Sequence, residues 1–269
     1  MCIRDREEVI KGDVEQKMLV AAAREIQKAI GVINNKTLEL ETTLSAWNRK
    51  KDLNYIDKIK NNCHRLQRLS DNILDLNQYE AGCSSAKFES INLSTLLGGM
   101  VESVEPYVRQ HGIDIQYTAS NPYIIADIDR EAIERLFLNL VSNAVKYNKE
   151  SGKIQVILSK KKHKVFLCVK DTGIGIPPHY LELIFEKFQR VESRLTQVQE
   201  GSGLGLSIVK SLVDLHYGEI KIISQEGKGT LISIGLPIKQ ESDRETIRDY
   251  VKVRHLDEKI KMEFSHLNR

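Results

Sequence analysis

No stretch of this chain approaches the ~18 consecutive apolar residues that a membrane-spanning helix needs. No secretory leader is visible at its start either. A cytoplasmic location is expected, by itself or as the cytoplasmic part of a longer membrane-bound protein. Cysteine is sparse: Cys2, Cys63, Cys83 and Cys168 are the only four, and none forms a C-x-x-C pair. That excludes zinc-ribbon and thioredoxin-type readings and leaves separate reduced thiols. A net excess of either charge is nearly absent too. Forty basic side chains against 37 acidic ones leave +3, too weak a field to argue for a nucleic-acid partner. What is present is a hydrophobic fraction of 41% in 269 residues, enough for one large domain or two modest ones. Residues 1–13 stay unassigned, because Met1–Arg6 fits no later pattern.

Two long helical patterns come next. Leu19, Ile26, Ile33 and Leu40 recur every seven residues, interleaved with Ala23, Ile30, Thr37 and Leu44. A second stripe runs through Ile56, Ile59, Cys63, Leu66, Leu69, Ile73 and Leu76. The charged stretch Trp47–Asp52 separates them, which predicts an antiparallel hairpin. One hairpin cannot bury both stripes. Two hairpins can, as a four-helix bundle, so a homodimer is expected, with a heterodimer as the variant. The plainer alternative is a hairpin packed on its own downstream domain.

Ala81–Ser85 breaks the pattern and reads as a linker. Strands are expected at Phe88–Leu93, Ile113–Thr118, Tyr123–Ala126, Lys153–Lys160, Lys164–Lys170, Glu219–Ser224 and Thr230–Leu236. Helices are expected at Ser94–Gln110, interrupted near Gly98-Gly99, at Arg130–Tyr147, and from about Gly203 to His216. The fold class is therefore α+β, a helical hairpin followed by a two-layer α/β sandwich. Gln240–Arg269 is charged and helical in part, either docked or disordered.

Four short elements carry chemistry. On the helix RLFLNLVSNAVKYN, Asn139, Asn143 and Lys146 share one face. Amides ending in a lysine suit a hydrated magnesium ion and a polyphosphate; plain surface is the alternative. Asp171-Thr172-Gly173-Ile174-Gly175 follows the apolar strand Val165–Val169. Its aspartate can accept a hydrogen bond from an adenine amine, and its glycines allow close ligand approach. An ordinary tight turn has the same composition. Gly201-Ser202-Gly203-Leu204-Gly205-Leu206 opens a helix, where backbone N–H groups bind phosphate. The polar run Arg190–Glu200 before it lacks strand character, which rejects the dinucleotide fold and suits a mobile lid. Between the glycine turns, Phe185 and Phe188 could anchor that lid, and Arg190 could reach a γ-phosphate. An amphipathic helical turn is the alternative.

Taken in order, these elements resemble the N, G1, F and G2 boxes of histidine kinases, which have a Bergerat-type ATPase fold. The resemblance covers about Met18 to Leu236. It implies Mg-ATP as ligand and a response-regulator receiver domain as partner. Asn139 and Asn143 would then serve magnesium and phosphate, Lys146 phosphate, Tyr147 nucleotide packing and Asp171 adenine. Gly173, Gly175, Gly201, Gly203, Gly205 and Leu206 would shape the pocket. On this reading residues 14–82 are the dimerisation hairpin, 83–239 the ATP-binding domain and 240–269 the tail. The final KIKMEFSHLNR is similar to the ends of some clostridial-type sensor kinases.

One box departs from the family. AAAREIQKAIGVI occupies the register of the phospho-accepting histidine, and that position is Arg24. Glu25 remains, similar to the family's acid–base residue, but Lys28 and Ala29 replace threonine and proline. A guanidinium is protonated and delocalised, so it offers no lone pair for phosphoryl transfer. His64 lies on the second helix but reads as a bundle-flank residue. Two functions follow from the resemblance and this gap. One is a kinase-type enzyme that phosphorylates a partner or slowly hydrolyses ATP. The other is a pseudokinase that acts as a nucleotide-binding signalling module.

Overall fold

The computed structural model describes residues 22–24, 26–42, 50–80, 86–187, 189, 203–238 and 255–264. They fall into two compact units, one up to residue 83 and one spanning Ser84–Phe264.

The first unit is the helical hairpin. Helix α1 covers residues 22–42, with residue 25 outside the described set, and α2 covers Lys50–Glu80. Helix α2 thus begins inside the stretch expected to be the turn. Gln27 donates to Asp71 at 2.7 Å, Ser70 Oγ donates to the Ala23 carbonyl, and Lys60 pairs with Glu41. The α1 stripe divides into two rows. Ala23, Ile30 and Thr37 are buried, with Ile56, Cys63 and Ser70 buried on α2. Ile33 and Leu40 are 41% and 53% exposed, and Ile59 and Leu66 on α2 are 42% and 44% exposed. One hairpin therefore buries one row on each helix and leaves much of the second exposed, with Ile26 and Ile73 on it half-buried. Leu19 and Leu44 lie outside the described residues.

The second unit is a two-layer sandwich. Strands β1 (Phe88–Asn92) and β3 (Ile125–Asp129) form an antiparallel pair. The main sheet holds β2 (Asp114–Ala119), β4 (Lys153–Lys161), β5 (Lys164–Asp171), β6 (Glu219–Gln225) and β7 (Gly229–Pro237). Its order is β2-β4-β5-β7-β6, parallel between β2 and β4 and antiparallel elsewhere. Alternation sets the inner face. Val156, Val169 and Ile232 lie side by side across three strands, as do Leu158, Leu167 and Ile234, and all six are buried.

Helices α3 (Leu93–Gln110), α4 (Arg130–Lys146) and α5 (Gly205–Leu215) complete this unit with α6 (His255–Phe264). Leu93 opens α3 instead of ending β1, because the Asn92 side chain caps the helix by accepting the Ser94 N–H at 3.2 Å. Helix α3 runs unbroken through Gly98 and Gly99. Gly98 makes room for a ring: a Cβ there would sit 3.4 Å from the Tyr117 ring, whose hydroxyl donates to the Ser94 carbonyl. Asp129 caps α4 by accepting the Ala132 N–H at 3.1 Å. Glu131 in the first turn and Lys146 in the last complement its dipole.

His216, at the end of α5, ties that helix to the start of α4. Its Nδ1–H donates to the Leu212 carbonyl at 2.8 Å, so the bare Nε2 accepts the Asp129 N–H at 3.1 Å. The Phe88 ring stands edge-on at 5.3 Å. Burial lowers the imidazole pKa below 6.5, against the opposing pull of the Leu212 carbonyl and Asp129. The unfolded chain therefore takes up this proton more readily. The stability that His216 supplies is full above its unfolded pKa and is lost as pH falls through the window below it. We expect the melting temperature of this unit to drop between about pH 7.5 and about pH 5. In His216→Gln that drop should shrink, as followed by circular dichroism. An equally steep profile in the variant would remove His216 as the cause.

Candidate functional site

Helix α4 presents its amide row beside the start of α5. Asn139 is buried, and its Nδ2 donates to the Arg135 carbonyl at 3.0 Å. A carbonyl only accepts, so the amide nitrogen must face it and Oδ1 must face away. That oxygen points at Gly205, where a Cβ would come within 3.0 Å of it. The Asn143 amide lies 3.7 Å from the same point. Lys146, one turn on, has its Nζ 4.8 Å from the centroid of the Tyr147 ring.

Tyr147 caps the end of α4, its N–H donating to the Asn143 carbonyl at 3.0 Å. Its own carbonyl accepts the Ile174 N–H at 3.0 Å. This joins α4 to the turn after β5. A Cβ on Gly173 would strike that Tyr147 carbonyl, so only glycine lets the turn lie so close. Gly175, at φ +69°, is wedged in the same way against the Gln225 carbonyl. The Ile176 N–H donates to Ser224 Oγ at 2.8 Å, and the Gly227 N–H to the Ile174 carbonyl at 2.6 Å. The turn is thereby clamped between α4 and the β6–β7 connection.

Asp171 ends β5 inside this clamp. One carboxylate oxygen, Oδ1, accepts the Gly173 N–H at 2.8 Å and the Thr230 N–H at 3.1 Å. The other, Oδ2, accepts nothing from the described residues. Burial raises the carboxyl pKa, and the two backbone donors oppose that by favouring the ionised form. The result is an anchored carboxylate with one unused oxygen.

Gly203 has φ +71° and leads into buried Leu204 and α5. No side chain caps the start of α5. Gly205 and Leu206 are its first two residues, half-buried beside the amide row. Gly201 and Arg190 lie outside the described residues, as do Phe188 and Glu25. Arg24 is exposed on α1, next to buried Ala23.

Sequence reasoning missed several supporting residues. Thr230 anchors Asp171 from 59 positions away, and Ser224 holds the glycine turn from 48 away. Thr172 Oγ1 accepts the Lys153 N–H at 2.9 Å and donates to Asn148 at 3.2 Å. Only the Gly229-Thr230 pair at the head of β7 hinted at any of these. Gly229, at φ +100°, lies against the Asp171 carbonyl, closer than a Cβ would allow.

Comparison with known proteins matches this arrangement. Residues 128–240 fit the family described as histidine kinase-, DNA gyrase B- and HSP90-like ATPase. The circadian input-output histidine kinase CikA of Thermosynechococcus vestitus is 33% identical over 70% of this chain and 26% of that protein. The chain spans a third or less of the length of several curated relatives it matches. The solved catalytic domain of histidine kinase ThkA is 30% identical, with TM-score 0.50, over 56% of this chain and 98% of that one. ThkA in complex with the response regulator TrrA matches at 25% identity and TM-score 0.56, over 89% of this chain and 66% of that one. With the α+β sandwich in place, the chain belongs to the sensor histidine kinases and carries their ATPase domain.

Proposed function

We propose that this chain binds Mg-ATP between α4, the turn after β5 and the start of α5, and serves phosphoryl-transfer signalling in which Arg24 cannot act as the acceptor. The observation that carries the reading is a convergence. Gly205 seats against Asn139 and Asn143, while Asp171 keeps one oxygen unused a short way off. Asp171 Oδ2 accepts the exocyclic amine of adenine. Tyr147 packs on the nucleotide, and Lys146 pairs with its phosphates. The uncapped N–H groups at the head of α5 receive a phosphate. Gly173, Gly175 and Gly203 keep the walls thin and Leu206 lines the mouth; Gly201 and Arg190, outside the described residues, are assigned to the phosphate side by the family resemblance alone.

Asn139 fits a magnesium ion, because its amide turns an oxygen toward the phosphate side, and magnesium takes oxygen ligands. Asn143 offers a second amide. Bound there, the ion would neutralise phosphate charge. Calorimetric titration with ATP, in magnesium and then in EDTA, tests this. We expect saturable binding that weakens in EDTA; no binding in either buffer overturns the reading.

The exposed rows Ile33–Leu40 and Ile59–Leu66 support pairing of two hairpins into a four-helix bundle. Each of these side chains is only about half exposed, so covering the rest is worth roughly 1 kcal/mol apiece. A homodimer would hold two Arg24 residues and no acceptor. A heterodimer with a histidine-bearing relative would restore one, and Glu25 would then assist transfer as acid–base. A receiver domain is the downstream partner, as a response regulator is for ThkA. A cytoplasmic location accords with this, and no described helix is long and apolar enough to cross a membrane. The second reading, a pseudokinase whose nucleotide state tunes its contacts, is favoured by the same exposed Arg24.

A further inference from the structure

The tail helix α6 lies against α3 and α4, on the side of α4 that bears neither the sheet contacts nor the amide row. Leu256, Ile260 and Phe264 recur every four residues on one face, and all are buried. The Phe264 ring stands 6.0 Å from that of Tyr107 on α3. Two polar contacts flank this stripe. Lys259 Nζ meets Glu134 Oε2 at 2.7 Å, and Ser142 Oγ donates to Glu263 Oε1 at 2.8 Å. Glu134, Leu138 and Ser142 form a ridge along α4, and all three are 3–4% exposed. A carboxylate that deeply buried needs its cation, so the ridge is built for α6.

Asn139 and Asn143 follow Leu138 and Ser142 directly in the chain. At 3.6 residues per turn, the amide row is rotated about 100° from the ridge. Any roll or shift of α4 against α6 therefore carries the amides with it. We propose that Lys259 and Glu263 are positioning residues for the nucleotide site: by holding the outer ridge of α4, they set Asn139 and Asn143 against Gly205, so that docking of the tail helix and ATP binding strengthen one another. This rests on the Mg-ATP reading given above. The coupling must run both ways. A docked tail raises ATP affinity, and bound ATP tightens the tail.

Three variants of the full chain test it with Mg-ATP as the probe. Lys259→Glu sets two carboxylates together and should weaken ATP binding about tenfold. Adding Glu134→Lys to it reverses the pair and should restore affinity to within about threefold; Lys259→Arg should keep it throughout. Ile260→Asp releases the helix without touching the ion pair and should give the same loss. In the wild type, saturating ATP should slow amide hydrogen exchange across residues 255–264. That slowing should exceed the slowing of amides elsewhere in the sandwich, which any ligand of the native state produces. If exchange shows 255–264 released in Lys259→Glu or Ile260→Asp while ATP affinity is unchanged, the coupling is overturned and the nucleotide site stands. If the wild type takes up no ATP at all, the nucleotide reading falls and the coupling falls with it.

Discussion

Asp171→Asn should weaken ATP binding by about 10–150-fold, the effect of losing roughly 1.5–3 kcal/mol of hydrogen bonding to a charged acceptor. The fold should barely notice. The asparagine carbonyl can take the place of Oδ1 and keep both the Gly173 and Thr230 N–H groups. Its amide nitrogen then replaces Oδ2. A donor would face the adenine amine, itself a donor, where an acceptor stood before. Calorimetry reads the affinity, and thermal melting confirms that the variant is folded. Asp171→Ala is the blunter probe, because it also strips the two backbone N–H groups of their acceptor. Unchanged ATP affinity in a folded Asp171→Asn would withdraw Asp171 from base recognition.

Arg24→His should turn a chain that takes no acid-labile label from radiolabelled ATP into one that does. The argument is about lone pairs. Guanidinium has none to offer at any physiological pH, whereas neutral imidazole attacks the terminal phosphorus and releases ADP. The position itself is suitable, being exposed on α1 beside buried Ala23. Strong acid-labile labelling of the wild type would sink the claim that the acceptor is lost. A labelling-negative Arg24→His that still binds ATP would shift the blame to Lys28 and Ala29. Label passed instead to an added histidine-bearing hairpin would favour the heterodimer over the pseudokinase.

Much of the sandwich unit is legible in the sequence, because its elements obey short-range rules. The two-residue alternation of β4 and β5 and the 3.6-residue stripe of α4 need no knowledge of distant neighbours. The errors came where distant contacts decide. Gly98-Gly99 looked like a break, yet Tyr117 from β2 fills the space that the missing side chain leaves. The coiled-coil stripe on α1 read as one surface; the structure splits it into a buried row and a more exposed one, a division that depends on which helix lies opposite. For the site, the sequence marked Asp171, the glycines and the amide row. It was silent on what fixes them. The Thr230 N–H and the Tyr147 carbonyl act through the backbone, the Ser224 hydroxyl reaches the turn from 48 positions away, and the pairing of Lys259 with Glu134 spans 125 residues. Arg190 and Gly201 rest on sequence alone, outside the described residues.

The exposed rows on the hairpin have a thermodynamic consequence. If they are covered only by a second chain, this half of the molecule obeys mass action while the sandwich half does not. Heating should then resolve two transitions, and dilution should move only the one that belongs to the hairpin. The amount of protein in a cell would thus set how much of it is paired. A signalling output that needs the pair would respond to expression level as well as to stimulus.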